Sequence, residues 1–339
     1  MVAPLYARPA QLSSCRLRDA DAAGGSTINH RAPPPHARPP KLHANFSNAA
    51  SPVLTIDSGD TVTLSAPDIG WGLAPPTSTT APRRKVEPRD TGLCMVGPIA
   101  VRGAAPGDVL EIEIKRVVPS AWGWTYAGRG MASVELNEAL GIGAAPLTLV
   151  RWTIDHERGV ATSDVGTTVP LAPFPGTIGL APDEAVASGW VPRVCGGNMD
   201  CRELVAGSTL LLPVYVTGGL LSIGDGHAAQ GDGELSGSAI ECMLEALEIK
   251  ITLRRGTRIH GPRIYAAPDA AGRRRWITLG FGATLDAAAG SAASGMLDLM
   301  EEQLGLSRAE CVALASSCVD LGVTQMVNPV KGVHAVWRV

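Results

Sequence analysis

Residues 222–234, SIGDGHAAQGDGE, concentrate carboxylates, one imidazole and glycine directly behind the apolar run GSTLLLPVYVTGGLL. Asp225 and His227 are separated by one glycine, and in extended backbone residues i and i+2 project to the same side about 6.5–7 Å apart. A carboxylate and an imidazole converging on one cation suit zinc or a similar first-row divalent ion better than magnesium or calcium, which favour all-oxygen ligand sets. Asp232 and Glu234 repeat the spacing. Glycines 224, 226, 231 and 233 admit positive φ and close backbone approach, as a tight ligand loop requires. On composition alone, a solvated turn with incidental charges describes the stretch equally well.

A second cluster lies in CGGNMDCRE, residues 195–203, where Asn198 and Asp200 again stand two apart behind a glycine pair. A tight turn by itself also accounts for that pattern. Cys195 and Cys201 are either packing residues or, with no histidine beside them in sequence, soft ligands or a nucleophile. Glu241, inside the apolar run SGSAIECML, either faces solvent on a sheet or is buried with a raised pKa, poised as a base. His43, in KLHANFSN, is a lone histidine whose default role is structural. The signatures of other hydrolases and of nucleotide binders are missing. There is no G-x-S-x-G elbow, no H-E-x-x-H, no Walker loop, and no G-x-G-x-x-G opening a helix after a strand. DGHAAQGDGE also fails the calcium-loop pattern, with glycine and histidine in ligand slots.

The bulk composition narrows the classes further. A net charge of −3 and 4% aromatics leave neither a basic footprint nor a base-stacking platform for nucleic acid. No apolar run approaches the length of a membrane span. Seven cysteines, an odd number with no C-x-x-C pair, argue for thiols in a reducing compartment rather than a disulfide frame. The first residues lack a continuous apolar segment, so no secretory signal is expected and the cytoplasm is the expected location.

The elements that must hold these residues read as mainly β. Abundant glycine and proline (39 and 26) with 18% charge favour short strands joined by turns. Residues 1–40 read as a disordered tail with too few apolar residues to support a core, so the fold begins near residue 41. PVLTID-SG-DTVTLS predicts a hairpin around Ser58–Gly59, and residues 66–98 a long loop. GDVLEIEIKRVV alternates strictly, with Leu110, Ile112 and Ile114 on one face. RWTID and GVATSDVGTTVPL add short strands, and GSTLLLPVYV reads as a strand covered on both faces. In IECMLEALEIKITL, helix-forming composition competes with a clear alternation in the second half, which predicts a strand there. Helices are expected late, near 284–304 and 308–320. The second opens on a Ser307/Glu310 capping box and stops at Gly322. Cys311 and Cys318 share one face of it and are expected to pack.

Residues 196–241, GGNMDCRELVAGSTLLLPVYVTGGLLSIGDGHAAQGDGELSGSAIE, resemble the central block of the acetamidase/formamidase family. The elements GNMD, AGSTL.LPV and GDGHAAQGDGE stand in family order. GPIAVRGAAPGDVLEIEI, PVLTIDSGDTV and GLSRAECVALASSCVDLGVTQMVNPVKGVH extend the resemblance over nearly the whole chain after residue 40. The resemblance implies cytoplasmic, oligomeric hydrolases of small linear amides, here expected as a homodimer. It also implies sandwich- or barrel-like sheets with a smaller α/β portion, α+β overall. Carried across residue by residue, it makes Asp200, Asp225, His227 and, more weakly, His43 ligands of a divalent metal ion. Zinc is the first choice, with calcium or another divalent ion as the alternative. Glu234 and Glu241 become the general base or a further ligand, and Asn198 and Gln230 orient the amide. Two rival readings follow from the residues: a cysteine-nucleophile amidase using Cys195 or Cys201, and a non-catalytic metal-binding β module. The stretch WGLAPPTSTTAPRRKVEPRDTGLC, residues 71–94, matches nothing in the family pattern and leaves the substrate open.

Overall fold

The computed structural model describes residues 42–87 and 90–338, together with a two-residue strand at Thr27–Ile28 that pairs in parallel with Thr61–Val62. The rest of the expected tail, residues 1–40, lies outside the described residues. The fold is mainly β, with three helices among the described residues. Two large sheets carry it, and both are open in strand order, so the barrel-like alternative falls away.

In the first sheet, Val109–Pro119 lies between Leu244–Arg254 and Thr209–Pro213, all antiparallel. Leu110, Ile112 and Ile114 point inward and are fully buried, while Glu111 and Glu113 face out, as the alternation predicts. Leu244–Arg254 obeys the same rule, with Leu247, Ile249 and Ile251 buried, so the helix suggested by composition does not form. Register sets Lys250 opposite Glu113, and a bidentate Arg254–Glu111 pair at 2.9 Å closes the strand end. GSTLLLPVYV is strand only through Pro213, and mainly one face of it is covered. Proline has no N–H to continue the ladder.

The second sheet is built around Leu221–His227, buried at every residue. Phe174–Gly179 flanks it on one side. Met95–Val101 and Glu241–Cys242 share the other side at opposite ends. One apolar core joins the sheets. Ile99, Val101, Phe174, Ile178 and Ile223 from the second meet Leu110, Ile112, Leu212 and Ile249 from the first.

The hairpin expected around Ser58–Gly59 does not form. Leu54–Ile56 pairs in parallel with Met95–Val101 in one sheet, and Thr61–Ala66 pairs with Leu244–Arg254 in the other. The turn between them is tight, with Gly59 at φ +99° and Asp60 accepting the Asp57 N–H at 2.9 Å. Ile56 and Val62 both enter the inter-sheet core, so each strand buries more by joining its own sheet than by pairing with the other.

The helices cover the far end of the first sheet. Leu285–Leu304, capped by Thr284 and ended by Gly305 at φ +67°, packs Ala288, Ala292, Met296 and Leu299 against Val333, Ala335 and Trp337. Arg308–Cys318 opens on the expected Ser307/Glu310 box. It stops at Cys318 rather than Gly322, because Val319 is already extended (φ −116°, ψ 125°) and Val319–Gln325 pairs with Lys331–Arg338. A short helix, Val134–Ala139, capped by Ser133, carries no periodic signal long enough to predict it.

Candidate active site

Register assembles the site. His227 lies opposite Phe174 on one neighbouring strand and Glu241 on the other, and the Phe174 ring meets the imidazole edge-on at 5.0 Å. Asp225 stands two residues before His227 on the same strand, but its backbone is left-handed (φ +59°) rather than extended. Its carboxylate meets the imidazole, with Oδ1 3.1 Å from His227 Nε2. Glu241 Oε1 lies 3.4 Å from the same nitrogen and accepts the Ala239 N–H at 2.9 Å.

Asp200 follows the strand Gly196–Asn198, and Glu234 sits in the loop after the second glycine pair. Both also have left-handed backbones, at φ +49°. For residues other than glycine that conformation costs on the order of 1–2 kcal/mol each, and such strain concentrates at functional sites. Ligand-capable atoms of Asp200, His227 and Glu234 lie within 4.8 Å of one another, as do those of Asp225, His227 and Glu241. His227 is shared by both groups.

All five side chains are buried. Burial, reinforced by Asp225, pushes the Asp200 carboxyl up to about 7, and burial pushes Glu241 up to about 8 despite the opposing imidazole. Burial and then Asp200 hold Glu234 well above the usual carboxylate range. Burial opposes charge on His227, but Glu241 and Asp225 outweigh it and raise the imidazole well above its ordinary value. Four carboxylates thus face one imidazole in a space shielded from water. Asp200 Oδ1, His227 Nδ1, Glu234 Oε2 and Glu241 Oε2 have no hydrogen-bond partner among the described residues. Partnerless buried acceptors around an excess of negative charge fit a divalent cation, and the mixed nitrogen and oxygen set is within the range zinc accepts.

Three residues not singled out in the sequence complete the site. Gly176 occupies its floor: a Cβ there would stand 2.5 Å from His227 Cε1, 2.7 Å from Asp225 Oδ2 and 2.9 Å from Asp200 Oδ1. Thr177 donates its hydroxyl to Asn198 Oδ1 and approaches Asp225 Oδ2 at 3.3 Å. Asn328 donates to Asp200 Oδ2 at 2.6 Å, from a loop tied to the site by the Gly233–Gln325 bridge. Gly176 and Thr177 sit in an apolar strand, and Asn328 lies more than a hundred residues from its partner, so no local signal marks them.

Other expected residues fall differently. Asp232, expected to pair with Glu234, is exposed. Of the four glycines, only Gly233 has positive φ (+92°). Gly224 and Gly226 serve close approach instead, their added Cβ atoms falling 2.1 Å from the Cys94 carbonyl oxygen and 2.8 Å from that of Cys242. The Asn198 side chain accepts from Thr177, and Gln230 Nε2 donates to the Asp200 backbone carbonyl at 2.8 Å, so both are engaged within the protein. His43 pairs with Met95, which pairs in turn with Gly224. Its Nδ1 is 2.8 Å from the Asn45 carbonyl, and it joins neither ligand group. Cys195 and Cys201 are buried in the inter-sheet core. Burial pushes the Cys195 thiol up to about 11 and raises Cys201 further, which suppresses the thiolate a nucleophile needs.

The stretch 71–94 braces the site from behind. Trp124, opposite Glu241, donates its indole N–H to the buried Asp68 at 2.9 Å, and Arg83 pairs with the same carboxylate through both terminal nitrogens. On the other side a cleft of about 560 Å³ opens onto Glu234 and Gln230.

Fold and site together define an open β-sandwich protein with a buried acid–imidazole centre suited to a divalent cation. The chain belongs to the acetamidase/formamidase family, whose model matches residues 29–193 and 190–330. It is 28% identical over 196 residues to the acetamidase of Mycolicibacterium smegmatis, covering 41% of this chain and 48% of that protein. It is 31% identical over 218 residues to the formamidase of Methylophilus methylotrophus, covering 49% and 53%. The matches thus span about half the length of those two relatives. A solved structure described as a recombinant predicted acetamidase/formamidase from the thermophile Thermoanaerobacter tengcongensis superposes with a TM-score of 0.77 at 26% identity, covering 88% of this chain and 93% of that one. Among the described residues no helix is long and apolar enough to cross a membrane.

Proposed function

We propose that this protein hydrolyses small linear amides of the formamide and acetamide class to the carboxylate and ammonia, using a divalent metal ion. The observation that carries this reading is the buried set Asp200, Asp225, His227, Glu234 and Glu241 with its four partnerless ligand atoms. The names of the acetamidase and formamidase relatives point to the same chemistry. Asp200, Asp225 and His227, with Glu241 beside them, would hold the ion. A bound ion of this kind acidifies water and polarises a carbonyl, and zinc is the first candidate.

The residues of the chain divide the remaining work. Glu241 is fixed by the Ala239 N–H and by its approach to His227, which orients the imidazole. Of the five buried groups Glu234 is the one that lines the cleft, and it is the group placed to move protons. It takes the proton from the attacking water and returns it to the departing nitrogen. The water oxygen bonds to the acyl carbon, the C–N bond breaks, and nitrogen leaves as ammonia rather than as the strongly basic amide ion. Asn328 holds the carboxylate of Asp200, Thr177 stands beside that of Asp225, and the Asp68–Trp124–Arg83 brace fixes the strand behind Glu241. The protein is also proposed to act as a homodimer in the cytoplasm.

Ammonia release from formamide and acetamide, before and after chelation, tests the reading. Turnover that falls with the metal and returns on adding zinc supports it. Full turnover by metal-free protein refutes the metal mechanism, and turnover abolished by a thiol alkylator but not by chelation would install the cysteine rival. Tight metal binding with no ammonia from either amide would leave a non-catalytic module.

A further inference from the structure

We infer that the preferred substrate, on the amidase reading above, is a primary carboxamide whose acyl group is apolar and about the size of a ring, rather than formamide or acetamide. The first observation is size. The cleft at Glu234, open to solvent along one side, has a volume of about 560 Å³. Formamide has three non-hydrogen atoms and fills about 90 Å³, taking each as one water's share of the liquid, roughly 30 Å³. Clefts of several hundred cubic ångströms are the size of sites that enclose larger organic ligands.

The second observation is the division of the wall. One side is apolar: Trp152, Val169 and Ile240, with Leu235, 55% exposed, at the rim. This side is built in advance, because Trp152 and Val169 pack on a buried cluster of Ile154, Ala161, Ala228, Ile240 and Cys242. The Trp152 indole is also held, donating to Thr125 Oγ1 at 3.0 Å, while that hydroxyl donates to the Ala239 carbonyl at 2.7 Å. Ala239 in turn donates its N–H to Glu241. The aromatic wall and the acid–imidazole centre are therefore joined by one short chain of hydrogen bonds.

The polar side carries Arg202, Asp232, Gln230 and Glu234, and of its acceptors Gln230 Oε1 and Glu234 Oε2 are buried without partners. Two acceptors match the two N–H groups of a primary amide. The apolar wall cannot satisfy an N–H and suits the acyl end instead. An acetyl or formyl group would leave that wall in contact with water.

Rates of ammonia release over the series formamide, acetamide, isobutyramide, benzamide and phenylacetamide test the inference on the full-length protein. Each methylene seated in an apolar pocket changes specificity by roughly tenfold or more, so kcat/KM for benzamide or phenylacetamide should exceed that for formamide at least tenfold. Trp152→Ala should lower the benzamide-to-formamide ratio of kcat/KM about tenfold or more. Val169→Thr, which keeps the shape and replaces one methyl by a hydroxyl, should lower it several-fold, with a melting curve showing that the variant is folded. Formamide or acetamide turned over faster than both aryl amides would overturn the inference and leave the amidase reading standing. So would a ratio unmoved by both substitutions. Folded, metal-loaded protein that releases ammonia from no member of the series would overturn the amidase reading and the inference with it.

Discussion

Gly176→Ala isolates the geometry of the centre from the chemistry of its ligands. No titratable group is removed, and residue 176 does not need a left-handed backbone. The added methyl would meet His227 Cε1 at 2.5 Å, Asp225 Oδ2 at 2.7 Å and Asp200 Oδ1 at 2.9 Å. Ordinary contact begins near 3.4 Å, so relief takes a shift from 2.5 to 3.4 Å at the imidazole, about 0.9 Å, with smaller shifts at the two carboxylates. The strand cannot simply back away, because the Gly176 carbonyl accepts the N–H groups of Met199 and Asp200 at 3.1 and 3.0 Å. Overpacking of this kind costs ~1–3 kcal/mol. A misplacement near 1 Å at a reacting centre costs on the order of a hundredfold in rate. On the proposed metal-amidase reading, the variant is therefore expected to fold, to melt a few degrees lower, and to lose about two orders of magnitude in kcat/KM together with most of the metal it would bind. The assays are calorimetry, metal content after dialysis, and ammonia release. Gly290→Ala, at an exposed position in Leu285–Leu304 with nothing near the new methyl, is the matched control and should stabilise by ~0.5–1 kcal/mol. Normal turnover and stoichiometric metal in Gly176→Ala would refute the convergence of the three groups on that floor.

Asn328→Ala removes the donor on Asp200 Oδ2 and should weaken metal retention by about 10–100-fold, read by competition with a chelator of known affinity; unchanged retention would mean Asp200 needs no such brace. Arg83→Ala removes the guanidinium from the fully buried Asp68 but leaves it the N–H donors of Gly70, Gly72 and Trp124, and should cost about 1–3 kcal/mol in denaturant unfolding; a near-neutral variant would show that those three donors alone satisfy the carboxylate. The metal-free protein should lose stability as pH rises from about 4 to 8. Asp200 at about 7, Glu241 at about 8 and the raised Glu234 keep protons in the folded state that the unfolded chain has released. The raised His227 acts in the same direction, stabilising below its unfolded pKa and losing that contribution as pH climbs through its folded one. Metal loading should reverse the slope, because cation and protons compete for the same atoms, and parallel melting curves with and without metal would contradict the proposed ligand set.

Much of the frame was legible because it follows from local rules. The alternation in 109–119, the Ser307/Glu310 box and the late helices all depend on neighbours within a few residues. The failures mark where long-range pairing decides. Leu54–Ile56 and Thr61–Ala66 look like a hairpin, yet each finds a better partner in a different sheet. Val319 leaves a helical pattern because Lys331–Arg338 offers it a ladder. In the site, Asp225 and His227 could be paired from spacing, though the left-handed backbone at Asp225 is not encoded in it. Glu241 was ambiguous because solvent and buried positions share one sequence context, and only its rung opposite His227 resolves the two. Asp232 misleads for the converse reason: it has the same spacing as its neighbours, but it is exposed while Glu234 beyond Gly233 is buried.

The left-handed backbone at Asp200, Asp225 and Glu234 also bears on how this protein should be handled in evolution or engineering. Glycine at any of the three would relieve conformational strain and thin a crowded set of buried acids. Each such change should therefore make the metal-free fold more stable while dismantling the centre. Screens that reward only heat resistance or soluble yield will enrich inactive clones at these positions. A selection that couples survival to amide use as a nitrogen source, or that scores stability with metal present, would keep them.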